Sequence, residues 1–180
     1  MRTDDLTVEL RDLNDGPVTL EVNCDPQALD LADPEFQFSG PVKGEIKFVQ
    51  VGRRILGRGE ISTRVKSRCV RCLGDAELQV TAPVDAIYER DGEPQRDLGH
   101  IAQDDQIITS FTGDSINPAP ELREAMMVEL PSLPLCSPDC RGLCPKCGAN
   151  LNEGECTCSQ SDTSENPWQK QLKSIHLNEE

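Results

Sequence analysis

Aromatic side chains make up only 3% of the 180 residues, and there are just two histidines, His100 and His176. The first shortage limits the core to a modest size, that of one compact domain with an appendage. Both histidines fall in polar or terminal segments, where a solvated surface role is expected. No Ser/His/Asp set and no glycine-rich phosphate loop can be assembled from the remaining residues. No stretch approaches the roughly 20 apolar residues that cross a bilayer, and "MRTDDLTVEL" lacks the basic and then apolar run of a signal peptide. These absences predict a non-enzymatic cytoplasmic protein with no membrane and no small-molecule substrate.

Cysteine, by contrast, is abundant, with nine residues in the chain. In a reducing compartment an odd number of thiols points to metal ligation ahead of disulfides, redox chemistry or inert core positions. Eight fall into close pairs: Cys69 and Cys72 in "CVRC", Cys136 and Cys140 in "CSPDC", Cys144 and Cys147 in "CPKC", and Cys156 and Cys158 in "CTC". A Cys-x-x-Cys turn lets two thiolates converge on one ion, and zinc takes four such ligands in a tetrahedron. Four pairs therefore predict two zinc ions, in closed Cys₄ sites that are structural because no position stays open for water. An iron–sulfur cluster would accept the same ligands, but the "CPKCG" knuckle favours zinc. Cys24 stands alone and reads as a small buried hydrophobe.

Spacing leaves two pairings open. Cys144, Cys147, Cys156 and Cys158 can close on one ion across the short "GANLNEGE" reversal, which leaves Cys69 and Cys72 to join Cys136 and Cys140. Alternatively, 136/140 pairs with 144/147 and 69/72 with 156/158.

The body reads as β. In "VKGEIKFVQ" Val42, Ile46 and Phe48 alternate with Lys43, Glu45 and Lys47, and "RILGRGEISTRVKS" sets Ile55, Ile61 and Val65 against Arg54, Arg58, Arg64 and Lys66. "VGRR" between them predicts a hairpin turning at Gly52, "AELQVTAPVDAIY" a third strand burying Leu78, Val80, Ala82 and Val84, and "PVTLEV" a fourth. "CVRC" falls in the turn between the second and third. The polar "ERDGEPQRDLGHIAQDDQ" predicts an exposed arm, and "IITSF" a return to the sheet. Asn117, Pro118 and the Leu122, Met126, Leu130 spacing predict a helix stopped by Pro131. "NPWQKQLKSI" predicts a short terminal helix presenting Trp168, Leu172 and Ile175.

The predicted fold is α+β: an antiparallel β-meander with one packed helix, a C-terminal zinc-ribbon-like module and a short terminal helix. Residues 1–135 form the mainly antiparallel body with its helix at about 118–130, residues 136–158 the zinc-binding module, and residues 159–180 a linker and the terminal helix.

"RCVRCL" after a strand, "ELPSLPLCSPDC" after a helix, "GLCPKCGANLNEGECTC" and a final "NPW" helix together resemble the YceD family, the large ribosomal RNA subunit accumulation proteins. The match is specific between about Cys69 and Cys158 and weaker over residues 1 to 40. Family members without the "CPKCG" segment keep the first knuckle and a pair after the helix, so the resemblance supports joining 69/72 to 136/140. It implies a role in accumulation or processing of large-subunit ribosomal RNA in bacteria and plastids, and a gene often beside that of a small zinc-binding protein of the large subunit. The family carries no catalytic residues over to this chain.

A formal net charge of −14 argues against uniform affinity for phosphate. Yet nine basic residues lie between Pro41 and Cys72 (Lys43, Lys47, Arg53, Arg54, Arg58, Arg64, Lys66, Arg68 and Arg71) against only Glu45 and Glu60. Such a hairpin is either the ordinary solvated outer face of a small sheet or a docking surface for RNA, with Lys43, Lys47, Arg53, Arg54, Arg58, Arg64 and Lys66 as the candidate contacts. The reading is a non-enzymatic ribosome-biogenesis factor whose partners are large-subunit ribosomal RNA or precursor particles and basic ribosomal proteins. Its alternatives are a zinc-ribbon adaptor regulating an RNA polymerase or ribonuclease through protein contacts, and an enzyme or thiol-redox protein.

Overall fold

The structure is a computed structural model and describes residues 6–91 and 108–160. In chain order its elements are β1 (Val8–Glu9), α1 (Leu10–Leu13), β2 (Val18–Cys24), a 3₁₀ turn (Pro26–Leu29), β3 (Gln37–Phe38), β4 (Val42–Val51), β5 (Arg54–Arg68), β6 (Asp75–Arg90), β7 (Ile108–Phe111), β8 (Ser115–Ile116), α2 (Ala119–Val128) and a second 3₁₀ turn (Thr157–Gln160).

Side-chain alternation builds the main sheet. Val42, Ile46 and Phe48 of β4 and Ile61 and Val65 of β5 are wholly buried, while Lys43, Lys47, Arg58 and Arg64 between them are exposed. β6 continues the buried face with Ala76, Val80, Ala82, Val84 and Ala86, and Leu78 is half-buried. The strand order is β2-β4-β5-β6-β7, with β3 paired to β5 beside β4. The β4–β5 hairpin closes with Val51 opposite Arg54. Its first turn residue, Gly52, has φ 62°, which a side chain would disfavour and which matches the twist of the flanking strands.

The expected meander needs one correction: β7 joins β6 in parallel, Ile87 facing Ile108. "IITSF" thus returns to the sheet, but in the same direction as β6, so the sheet is mixed. Two glycines let β4 and β5 approach closely. A Cβ on Gly59 would collide with the carbonyl oxygen of Glu45, and one on Gly44 would collide with that of Glu60. Gly57 lies under the Phe48 ring, where a Cβ would come within 2.6 Å of it.

One face of the sheet is covered and the other is open. α2 lies over the covered face, mainly on β6, burying Ala119, Leu122 and Met126, with Leu130 partly buried beyond its end. The helix starts one residue later than predicted, with Pro118 and not Asn117 at its N-cap, and Asn117 Oδ1 accepts from the Ala119 N–H at 3.0 Å just ahead of it. Arg123 ties α2 to the first 3₁₀ turn by donating to the Asp30 carbonyl at 3.0 Å. Residues near the N-terminus complete the core: Leu6, Val8, Leu13, Leu29, Leu31 and Phe36 are all buried, and β1 pairs with β8 in a separate two-stranded sheet. Cys24 is buried among them, a packing residue as expected. The predicted terminal helix with Trp168, both histidines and most of the polar arm after Glu89 lie outside the described residues.

Candidate metal centres

The turn between β5 and β6 is a knuckle in which the Leu73 N–H donates to the Cys69 carbonyl at 2.9 Å and the Cys69 N–H to that of Gly74 at 2.8 Å. The same pair of bonds recurs at "CPKC": Gly148 N–H to Cys144 O at 2.9 Å and Cys144 N–H to Ala149 O at 2.8 Å. Both knuckles need a left-handed residue after the second cysteine. Gly148 supplies it at φ 73°, but the first knuckle uses Leu73 at φ 59°, with its side chain 61% exposed. A leucine there carries a conformational cost that glycine does not.

Past α2 the proline-bearing segment leading to Cys136 returns to this first knuckle, where the Val70 N–H donates to the Pro134 carbonyl at 3.0 Å. Arg71 then clamps the incoming chain. Its Nη1 donates to the Cys140 carbonyl at 3.0 Å, and its own carbonyl accepts from the Leu143 N–H at 3.2 Å. Cys69, Cys72, Cys136 and Cys140 meet there, and Cys144, Cys147, Cys156 and Cys158 meet in a second cluster, with the sulfurs of each within 4.8 Å of one another. Of the two pairings that spacing leaves open, only the first is formed. The reversal between the second cluster's pairs is pinned by a bridge between Leu143 and Asn150.

The geometry suits a metal. Cys69 and Cys140 Sγ are 3.6 Å apart, as are those of Cys72 and Cys136. Tetrahedral bonds of about 2.3 Å imply sulfur–sulfur edges of about 3.8 Å, whereas a disulfide requires about 2.05 Å, and all nine cysteines are free thiols.

The electrostatics agree. Backbone amides aimed at sulfur, that of Cys72 foremost, hold the Cys69 thiol down at about 6, and those of Cys147 and Lys146 hold Cys144 at about 6. Another thiol of each set moves the other way. Hydrogen bonding to Cys72 pushes Cys136 up to about 12, and hydrogen bonding to Cys147 pushes Cys158 up to about 11. Each cluster therefore offers a ready thiolate and resists gathering more negative charge, a resistance that a bound divalent cation removes.

Asn152, on the loop of the second cluster, donates from Nδ2 to Cys140 Sγ of the first at 3.3 Å and is the leading cause of a lowered Cys140 thiol. Sequence reading takes "GANLNEGE" only as a turn former. Its two asparagines were the available signal of a further role.

The seven candidate basic residues are all exposed. The register of β6 decides their surroundings, because Arg54, Arg58, Lys66 and Arg68 face Glu89, Asp85, Glu77 and Asp75 across the ladder. Arg54 reaches Glu89 at 3.3 Å, and Arg58 reaches Asp85 at 3.3 Å. Lys43 lies opposite Ser62, and Arg64 opposite Gln79. Lys43, Lys47 and Arg64 make no ion pair among the described residues.

Fold and site together define a protein of mixed sheet with two four-cysteine clusters able to hold metal ions, the first joining thiols distant in sequence and the second closing a local loop. The chain belongs to the YceD family: the family model described as large ribosomal RNA subunit accumulation protein YceD matches residues 57–175. An uncharacterized protein of Mycobacterium tuberculosis is 27% identical over 107 residues, 59% of this chain and 50% of the relative. An uncharacterized protein of Mycobacterium leprae is 23% identical over 115 residues, 64% of this chain and 51% of the relative. The chloroplastic large ribosomal RNA subunit accumulation protein YCED homolog 1 of Zea mays is 28% identical over 124 residues, 56% of this chain and 42% of the relative. The chain thus spans about half the length of the curated relatives it matches. No solved structure matches it significantly. Among the described residues no helix is long and apolar enough to cross a membrane.

Proposed function

We propose that this protein is a non-enzymatic ribosome-biogenesis factor that supports accumulation or processing of large-subunit ribosomal RNA, acting as a scaffold stapled by two structural Cys₄ zinc sites. The family supports the ribosomal part of the reading. The observation that carries the scaffold part is the pair of four-thiol clusters, each saturated by protein sulfur. With four thiolates around it, an ion has no free position for substrate or water, so its contribution is to hold chain segments together. Four sulfurs with contacts of 3.6 Å suit a single tetrahedral ion of the soft-ligand class, and zinc is the ion we assign to each cluster.

The contact with RNA or precursor particles is assigned to the open face of the β4–β5 hairpin. Lys43, Lys47 and Arg64 are its centre, since β6 carboxylates neutralise much of the charge of Arg54 and Arg58. Basic ribosomal proteins are the natural partners of the acidic remainder of the chain. We assign its work to the cytoplasm, a reducing compartment that keeps thiols available for metal.

Sedimentation profiles of cells lacking the gene test the reading. The expected result is a deficit of large subunits with unprocessed large-subunit RNA, restored by the intact gene. Normal large subunits with altered transcription or bulk RNA turnover would instead favour an adaptor of RNA polymerase or ribonuclease.

A further inference from the structure

Asn152 belongs to the loop between Cys147 and Cys156, which the second cluster closes. Its side chain works on the first. Oδ1 accepts from the Arg141 N–H at 2.7 Å, while Nδ2 donates to Cys140 Sγ at 3.3 Å and to Asn150 Oδ1 at 2.9 Å. Asn150 is itself held, with its Oδ1 accepting the Asn152 N–H at 3.1 Å and its Nδ2 donating to Glu153 at 2.7 Å. This network fixes the amide orientation. Turned over, the Asn152 NH₂ would oppose the Arg141 N–H and its oxygen would oppose a thiolate.

We infer that Asn152 is a positioning residue that couples the two centres, presenting an N–H to the Cys140 sulfur only while the second centre holds its loop closed. The inference rests on the proposed function's premise that both clusters bind metal. An N–H donated to a ligating sulfur orients its lone pairs and stabilises the thiolate against protonation, and removal of such an outer partner typically weakens metal binding 10–100-fold. Without an ion in the second cluster, the loop that carries Asn152 keeps only hydrogen bonds: the Leu143–Asn150 bridge, made by Cys144 N–H to the Ala149 carbonyl at 2.8 Å and Leu151 N–H to the Gly142 carbonyl at 2.9 Å, and the Arg141 N–H bond to Asn152 itself. Opening that loop scatters Asn152 and removes the donor. Linkage makes the effect mutual, so filling the first centre strengthens the second by the same factor.

The test uses the full chain with Co(II) as probe. Asn152→Ala should bind Co(II) at the first centre about 10-fold more weakly. Its sulfur-to-metal charge-transfer band should move to lower energy, because the sulfur has lost a stabilising donor. Asn152→Asp keeps the acceptor for Arg141 but sets a carboxylate against the thiolate, so it should weaken the centre at least as much. The paired change Cys147→Ser and Cys156→Ser, which disables the second centre, should weaken the first by a similar factor. Combined with Asn152→Ala it should add nothing further.

Unchanged affinity and band in Asn152→Ala, or losses that add, would overturn the coupling. Should an Asn152 variant fail to fold, ¹¹³Cd resonances of the unaltered chain decide the matter. The first-centre signal should shift when the second centre fills, and a fixed signal refutes the inference. Metal bound at both centres without coupling defeats this inference alone, whereas no metal at either defeats the proposed function's zinc staples as well.

Discussion

Cys69 and Cys140 are 71 positions apart in the chain, yet their Sγ atoms lie 3.6 Å apart in the first cluster. One sulfur comes from the turn after β5 and the other from the segment that follows α2, so the contact ties the sheet to everything that follows the helix. The second cluster, by comparison, draws all four sulfurs from residues 144 to 158, and its loop reaches the first cluster through Asn152.

Purified protein should carry two zinc ions per chain, measured by mass spectrometry or metal analysis. Metal loss should follow a definite direction with pH. Cys69 and Cys144, held down at about 6, stay ionised through neutral pH, so their contribution to binding is present above that value and disappears as pH falls through it. A zinc-sensitive dye should register release steepening below about pH 6. Release confined to alkaline pH would contradict thiolate ligation.

Cysteine replacements should separate the two clusters. Cys72→Ser should loosen both the β5–β6 turn and the segment after α2, whereas Cys147→Ser should expose mainly residues 141–158 to hydrogen exchange. Structural zinc contributes about 10 kcal/mol or more in small peptides, so either loss is large against the margin of a single domain. Equal loss of protection throughout the chain in both variants would show that the clusters do not divide the molecule in this way.

The close approach of β4 and β5 makes Gly59 intolerant of a side chain. Gly59→Ala should cost about 2–3 kcal/mol in denaturant unfolding, because its Cβ meets backbone atoms of the facing strand and no flexible side chain can move aside. A change below about half a kcal/mol would mean that the strands separate there without penalty.

Leu73→Gly should have the opposite sign. Relief of the left-handed strain outweighs the added chain entropy of glycine, for a gain of up to about 1 kcal/mol. A clear loss of stability instead would reveal that the leucine side chain packs against something.

On the open face, Lys43→Gln, Lys47→Gln and Arg64→Gln together should weaken binding to large-subunit RNA or precursor particles and reduce its salt slope by roughly one unit for each phosphate no longer neutralised. Arg54→Gln with Arg58→Gln should do less, since those cations already face carboxylates. Equal effects of the two sets would remove the distinction, and no effect of either would reduce the face to a solvated sheet surface.

Period-two alternation made β4, β5 and β6 legible, because each buries one face and wets the other, and it placed "CVRC" correctly between the last two. Cys pairs at knuckle spacing likewise named all eight thiols that converge. Other features lay beyond that reading. The parallel return of β7 is set by tertiary packing, because a four-residue strand with Ile108 exposed on one face and Phe111 half-buried on the other carries no signal of direction. The N-terminal contribution, from Leu6 through Phe36, comes from scattered residues in two-residue strands and short turns that carry no period. The neutralising carboxylates of β6 escaped because a charge count along the chain stops at Cys72, whereas the sheet places Asp75 beside Arg68 and Glu89 beside Arg54. Asn152 escaped for a similar reason, since its partner sulfur belongs to the other cluster.

The span closed by Cys69 and Cys140 also governs the order of events during synthesis. A ribosome adding about 5–20 residues per second delivers Cys69 and Cys72 several seconds before Cys136 emerges. Throughout that interval the nascent sheet carries half a binding site, two thiols that hold an ion only weakly, while β6, β7 and α2 are still being made. The second cluster needs no such wait, as its four sulfurs emerge within fifteen residues of one another. The last ligand of the long-range staple, Cys140, therefore leaves the ribosome only after the sheet and α2 have been made, so capture of its ion marks a chain whose body is already complete.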